Sequence, residues 1–184
     1  MTSTSQRLVL QSCLVSANGV FSEPLSWAGP YFGAGSAAAS LLGLRASGGL
    51  LMGRRPYEIF SSQWPAASGD YADYINEMPK YVFSSTLRDP SWNNTTVIDG
   101  DVVEGVRELK SIPGKDLIVY GHGRFGQTIC DAGLVDQLTL NLVPVFVAAG
   151  DTLFQPEGRG RTWQFVSAGP GADPGLATIT YQLD

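Results

Sequence analysis

The spacing of strand-like runs constrains this chain more than any other feature. Such runs fall at about residues 7–16, 49–53, 80–85, 95–98, 116–120, 135–147, 162–168 and 176–183. Up to Gly133 they alternate with helical or loop material, the order that parallel βαβ units require. An Ala-rich stretch between residues 35 and 45 fits a helix. Asp101-Val-Val-Glu104 has the pattern of a capped helix start, with Val103, Val106 and Leu109 on one face and Pro113-Gly114 as the stop. A further helix opens near Arg124, places Phe125 and Ile129 on one face and meets Gly133 as its stop signal. Beyond Gly133 the pattern changes. Leu138, Leu140 and Leu142 alternate with Gln137, Thr139 and Asn141, and two more strands follow with no helix between them, so these should pair antiparallel. The expected class is therefore α/β, a mostly parallel twisted sheet with antiparallel C-terminal strands. The linkers Gln155–Arg161 and Gly169–Gly175 read as surface loops, and residues 1–184 as a single domain.

Composition removes several function classes. No apolar stretch approaches the roughly 20 residues that span a bilayer, and the N-terminus runs into a strand without a signal-peptide core, so a cytoplasmic protein is expected. A net charge of -5 argues against nucleic acid as the main partner. The two cysteines, Cys13 and Cys130, lie in apolar surroundings and predict no disulfide. No Cys/His cluster has metal-ligand spacing, and no nucleophile elbow is present, which sets aside metal and hydrolase chemistry.

What remains is chemistry at strand ends. Residues 117–126, Leu-Ile-Val-Tyr-Gly-His-Gly-Arg-Phe-Gly, break from an apolar run into Gly121-x-Gly123-x-x-Gly126 and then a helix. Glycines let a backbone approach a ligand, and helix-start N–H groups point at an anion, so this junction is read as a phosphate site. It is not a Rossmann fingerprint, because it follows the fifth strand and lacks the acidic residue about 20 positions on. Two other strand ends deliver polar groups: Gly53, Arg54 and Arg55 after one, and Ser84 and Ser85 after another. Together the three would line one edge of a parallel sheet and suit a dinucleotide with an extra phosphate, favouring NADPH over NADH. His122, the only histidine, is read as a phosphate contact or helix cap rather than a proton donor. Glu23 is the only carboxylate before residue 57; buried, it could serve as an acid, although an exposed loop position is the competing reading. Trp27, Tyr31 and Phe32, with Tyr57, Phe60 and Trp64, could wall an apolar slot beside the nicotinamide; core packing competes for about half of them.

The series Val15-Ser-Ala-Asn-Gly-Val20, Leu51-Met-Gly-Arg-Arg-Pro-Tyr-Glu58, Tyr81-Val-Phe-Ser-Ser-Thr-Leu87, Asp89-Pro-Ser-Trp-Asn-Asn-Thr-Thr96, Val119-Tyr-Gly-His-Gly123 and Leu134-Val-Asp-Gln-Leu138 resembles the bacterial dihydrofolate reductase-like family that includes the riboflavin-biosynthesis reductase domain. The match runs from about residue 7 to 154. The resemblance implies a three-layer α/β/α fold, NADPH as cofactor, and often a homodimer. Carried over by position, it implies that Arg54, Arg55, Ser84 and Ser85 take the adenosine 2′-phosphate end. Gly121, His122, Gly123 and Arg124 would then take the pyrophosphate, with Phe125 also counted as cofactor-binding, and Asn18, Gly19 and Val20 would form the loop over the nicotinamide, with Asp151 and Thr152 similar to a segment that braces it. Asn18, Glu23 and Tyr57 are the candidates at the chemistry.

Three departures from the family pattern stand out. Asn18 occupies the place of a common aspartate, and Pro56 that of a phosphate-binding threonine. The helix starting near Gly33 carries none of the carboxylates its relatives have there, which argues against folate reduction. The expected function is hydride transfer from NADPH to a small flat or conjugated substrate. A pyrimidine reductase of riboflavin synthesis is the alternative, and a non-catalytic nucleotide or small-molecule binding protein is the alternative of another class. An exposed edge of C-terminal strands, with Ala177, Ile179 and Tyr181 alternating with Thr178, Thr180 and Gln182, is the expected dimer surface.

Overall fold

All eight expected strands are present in the computed structural model, which describes residues 6–153 and 162–183. The first half of the chain runs β1 (Val9–Ser16), α1 (Pro24–Trp27), α2 (Ala34–Ala46), β2 (Gly49–Gly53), α3 (Arg54–Gln63) and α4 (Asp70–Glu77). The second half runs β3 (Lys80–Phe83), β4 (Thr95–Ile98), α5 (Val102–Ser111), β5 (Leu117–Tyr120), α6 (Gly123–Asp131), β6 (Gln137–Val143), β7 (Trp163–Pro170) and β8 (Ala177–Leu183). They form one sheet in the order β4-β3-β2-β5-β1-β6-β8-β7. Every pairing from β4 through β6 is parallel, and β6–β8 and β8–β7 are antiparallel.

Helices cover both faces because the central strands are apolar on both. Leu51, Leu117 and Val119 pack with Val106 and Leu109 of α5 and Ile129 of α6. On the opposite face Leu50, Met52, Val82 and Ile118 pack with Leu44 of α2, Tyr57 of α3 and Ile75 of α4. This is the expected three-layer arrangement. Asp101 caps α5 by accepting the N–H of Glu104 at 2.9 Å, as its sequence pattern indicates.

The sequence does not mark α1, α3 and α4 as helices, because their apolar positions are few and include aromatics that also suit a pocket. Two expectations change. The loop expected at Gly169–Gly175 begins as strand, since β7 extends to Pro170; the linker Gln155–Arg161 lies outside the described residues. The residues Ala177–Gln182 are not an edge, because β8 sits between β6 and β7. The outermost strand is β7, where Phe165 is 67% exposed. Among the described residues no helix is long and apolar enough to cross a membrane, and no group of three or more His, Cys, Asp or Glu is placed to hold a metal ion. Cys13 and Cys130 form no disulfide.

Candidate functional site

Strands β3, β2 and β5 are parallel neighbours, so the residues that follow them emerge side by side along one edge of the sheet. Ser84, Arg54 and Gly121 are those residues, and the end of β1 comes next. Ligands of open α/β sheets bind at such carboxyl edges. Neither α3 nor α6 has a side-chain cap on its first turn, which leaves helix-start N–H groups facing this edge. The imidazole of His122 therefore does not cap α6. Pro56 falls in the first turn of α3, where its missing N–H disrupts no helical bond. Gly121 (φ 79°) and Gly123 (φ 40°) adopt backbone conformations that favour glycine, and a Cβ on either would meet nothing within 4 Å, so space lies open above the turn. Phe125 contributes only its backbone there, because its ring stacks on Phe83 at 4.8 Å.

The guanidinium groups at this edge already have partners. Arg54 donates to Glu58 and to the Thr86 hydroxyl, both at 2.6 Å, and Arg55 pairs with Glu23. Arg88 reaches back to the carbonyls of Ser85 and Leu87 at 3.0 and 2.9 Å. The Ser84 hydroxyl accepts the N–H groups of Thr86 and Leu87, which turns the chain and brings Arg88 to the edge. Thr86 and Arg88 were missed in the sequence, since only this turn reveals their direction. Ser85 lies exposed beside them.

The loop after β1 is fixed by Asn18. Its Nδ2 donates to the Val147 carbonyl at 2.9 Å and its Oδ1 accepts the Val147 N–H at 3.0 Å, while the Ser16 hydroxyl also donates to that oxygen. An aspartate could not make the first bond. Asn18 is thus a clamp, and its role at the chemistry is withdrawn because both polar atoms are occupied. Val20 and Thr152 form an isolated antiparallel bridge, with Leu153 N–H bonded to the Gly19 carbonyl, so the brace between these loops is physically present.

Two other residues expected at the chemistry move away from it. Glu23 is exposed and paired with Arg55, which places it on the surface as the competing loop reading had it. Tyr57 is buried, and its hydroxyl accepts the Trp92 N–H at 3.3 Å. The aromatic slot also divides. Phe60 and Trp64 pack with Tyr57, Trp92 and Met78, whereas Trp27 and Tyr31 pack with Ala28, Val143 and Leu176. Phe32 is 47% exposed. The first set serves the core, because α3 packs Tyr57 into the cluster of Leu50, Met52, Val82 and Ile118 on the sheet face.

Beside Trp27 and Tyr31, a shallow cavity of about 270 Å³ opens at the ends of β1 and β6, lined by Ala17, Leu142, Val143, Pro144, Gly175 and Ala177. It contains no charged side chain. The carboxylate missing from the start of α2 is supplied from far along the chain. Asp173, in the β7–β8 turn, accepts the N–H groups of Gly33, Gly35 and Ser36 at 2.7 to 3.0 Å. Gly35 permits this approach, since a Cβ would lie 2.1 Å from the Ala172 carbonyl oxygen. Hydrogen bonds from Ser36, then from Gly33 and Gly35, hold the Asp173 carboxyl down at about 2, so it stays ionised and is no proton donor.

Comparison with known proteins matches this arrangement. The family model described as the RibD C-terminal domain matches residues 26–170. The uncharacterized Bacillus subtilis protein YyaP is 30% identical over 110 residues, which cover 57% of this chain and 58% of that protein, so the likeness spans less than two thirds of the relative. A protein ascribed to riboflavin biosynthesis from Shewanella sp. PV-4 superposes with a TM-score of 0.76 at 17% identity, covering 96% of this chain and 99% of its own. Enterococcus faecalis dihydrofolate reductase, solved in complex with NADP(H) and RAB-propyl, superposes with a TM-score of 0.63 at 17% identity, covering 97% of this chain and 98% of its own. The fold is dihydrofolate reductase-like.

Proposed function

The chain belongs to the RibD C-terminal domain family, of the riboflavin-biosynthesis reductase type, and on that premise we propose that it is an NADPH-dependent reductase delivering hydride to a small, flat or conjugated substrate. The observation that carries this reading is the adjacency of the β3, β2 and β5 ends, which gathers three guanidinium groups, the Ser84 and Ser85 hydroxyls and two uncapped helix starts along one edge. The donor set fits a phosphorylated dinucleotide, and the open space over Gly121 and Gly123 leaves room for its pyrophosphate.

Arg54, Arg55 and Arg88 with Ser84 and Ser85 would hold the 2′-phosphate. Gly121, His122, Gly123 and Arg124 would hold the pyrophosphate, and Gly19 and Val20 would border the nicotinamide. Glu23 and Glu58 give up their arginines to the phosphate, an exchange between exposed ion pairs that costs little. Bound nicotinamide supplies the hydride; the protein orients the reactants and excludes water. With Asn18, Glu23 and Tyr57 committed elsewhere, the proton comes from water or from the substrate itself. The uncharged cavity beside Trp27 and Tyr31 favours a substrate without a phosphate. A pyrimidine reductase of riboflavin synthesis is the second reading, favoured by the family match, though its ribose phosphate finds no cation in that cavity. A cytoplasmic homodimer, joined through the exposed β7 edge, completes the proposal.

The test is titration with NADPH and NADH, followed by nicotinamide fluorescence, in the wild type and in Arg54→Ala and Ser84→Ala. NADPH should bind at least about tenfold tighter than NADH, a gap of roughly 1.4 kcal/mol, and each substitution should erase that preference. If neither nucleotide binds, the reductase reading fails. Binding without NADPH oxidation across a substrate panel makes the chain a binding protein on the same fold.

A further inference from the structure

Resting on the cofactor reading just given, we propose that Gln11 is a positioning residue: it fixes His122 in the tautomer with its proton on Nε2, so that the turn before α6 offers an uncharged N–H donor to a phosphate oxygen. Gln11 is a polar residue in the middle of β1, only 1% exposed, on a face otherwise carried by Val9, Cys13 and Val15. Its amide nitrogen donates to the Gly121 carbonyl at 2.8 Å and lies 3.0 Å from His122 Nδ1.

The orientation of that amide follows from Gly121. A backbone carbonyl only accepts, so the NH₂ must face it; the flipped amide would set two oxygens against each other. The second amide hydrogen then points at Nδ1, which must present its lone pair, and the ring proton is left on Nε2. Nothing among the described residues bonds Nε2.

Two details show that this geometry is built. A Cβ on Gly126 would lie 2.6 Å from the Gln11 amide nitrogen, so the third glycine of the motif admits Gln11. The Gln11 Oε1 is buried with no partner among the described residues, so the amide is held by its donors alone. The surroundings disfavour an imidazolium. Burial lowers the pKa of His122 and outweighs the opposing pull of Asp131 on its own helix, while the start of the α6 dipole also repels positive charge. Among the described residues the ring meets two uncharged groups, Gln11 from β1 and Phe21 from the loop, the latter edge-on at 5.2 Å.

Because His122 is the only histidine, ¹⁵N NMR reads its ring without assignment ambiguity. The wild type at neutral pH should show a protonated Nε2 and an unprotonated Nδ1, with the second ring proton taken up only below the usual imidazole range, and NADPH should shift Nε2. In Gln11→Met the Nε2–H preference should weaken to that of an unrestrained imidazole and NADPH affinity fall about fivefold, the effect of one modest hydrogen bond. In Gln11→Glu, whose carboxylate faces Nδ1, the ring should titrate at higher pH and NADPH affinity should acquire that pH dependence. A wild-type ring protonated on Nδ1, or an unchanged tautomer in Gln11→Met, overturns the proposal, as does NADPH binding that leaves Nε2 unmoved. Should Gln11→Met fail to fold, the wild-type spectra still decide. If the tautomer is as expected but NADPH does not bind at all, the cofactor reading falls and the hold of Gln11 on the ring stands.

Discussion

The two ends of the parallel strands use their cations in opposite ways. At the N-terminal ends Arg7, Lys80 and Lys110 are buried and hydrogen-bonded. Lys80 donates to the carbonyls of Ile75, Asn76 and Met78 at 2.8 to 2.9 Å, with its ammonium 4.5 Å from the Trp92 ring centre. Arg7 donates to the Lys115 carbonyl at 2.6 Å, and Lys110 to the Asp136 carboxylate at 2.5 Å, which also takes the Val9 N–H. At the C-terminal ends Arg54, Arg55 and Arg88 are exposed, and two of them face exposed carboxylates. A cation whose donors end on fixed, buried acceptors cannot be lent to a ligand. One that faces a solvated carboxylate can change partners for little free energy. One end therefore ties the fold together, and the other is free to bind.

The largest effect that sharpens this contrast is expected from Lys80→Met. It leaves three carbonyls without a donor, and urea unfolding should report a loss of roughly 3–5 kcal/mol. Burial pulls Lys80 down to about 8 from 10.5. Between those values the native chain holds fewer protons than the unfolded chain, so stability should rise with pH across that window. The rise should be absent in Lys80→Met. A loss below about 1 kcal/mol would mean that this end is not the stabilising one.

How much of this was open to sequence reading depends on how local the cause is. The sheet was legible because strand alternation and the change of pattern after Gly133 are local, and so was the gathering of Arg54, Ser84 and Gly121, which follows from parallel strands. The motif Gly121-x-Gly123-x-x-Gly126 was only half legible: its first two glycines serve the turn, but the third makes room for Gln11, a residue 115 positions earlier. The Asp173 clamp on α2 spans 140 residues from Gly33 and leaves no local trace. Tyr57 and Phe60 carry no mark of which face of α3 they occupy, so a core looked like a pocket.

Intermediate effects should separate clamp from ligand site within the C-terminal end itself. Asn18→Asp restores the residue common in the resembled family, yet it should lower stability by about 1–2 kcal/mol in thermal melts, because a carboxylate would face the Val147 carbonyl. It should not raise turnover at any pH. A gain in turnover would return position 18 to the chemistry. Arg54→Ala should do the reverse, changing stability by less than about 0.5 kcal/mol while weakening NADPH about tenfold. Equal losses in both quantities would erase the distinction between the two ends.

The smallest effect tests a charge at the C-terminal end that behaves like those at the other. Asp173 is committed to three backbone N–H groups, with its carboxyl held at about 2 against an ordinary 3.8. Between those values the native chain holds fewer protons than the unfolded one, so its contribution is complete above about pH 4 and is lost as pH falls through about 2. The amide proton shifts of Gly33, Gly35 and Ser36 should move together in that acid window. In Asp173→Asn they should stay flat and sit away from their wild-type positions at neutral pH. NADPH affinity should be unchanged in this variant, since Asp173 touches none of the arginines. Shifts that do not respond to Asp173→Asn would show that the β7–β8 turn does not hold the start of α2, and the wall that Gly175 gives the cavity would lose its anchor.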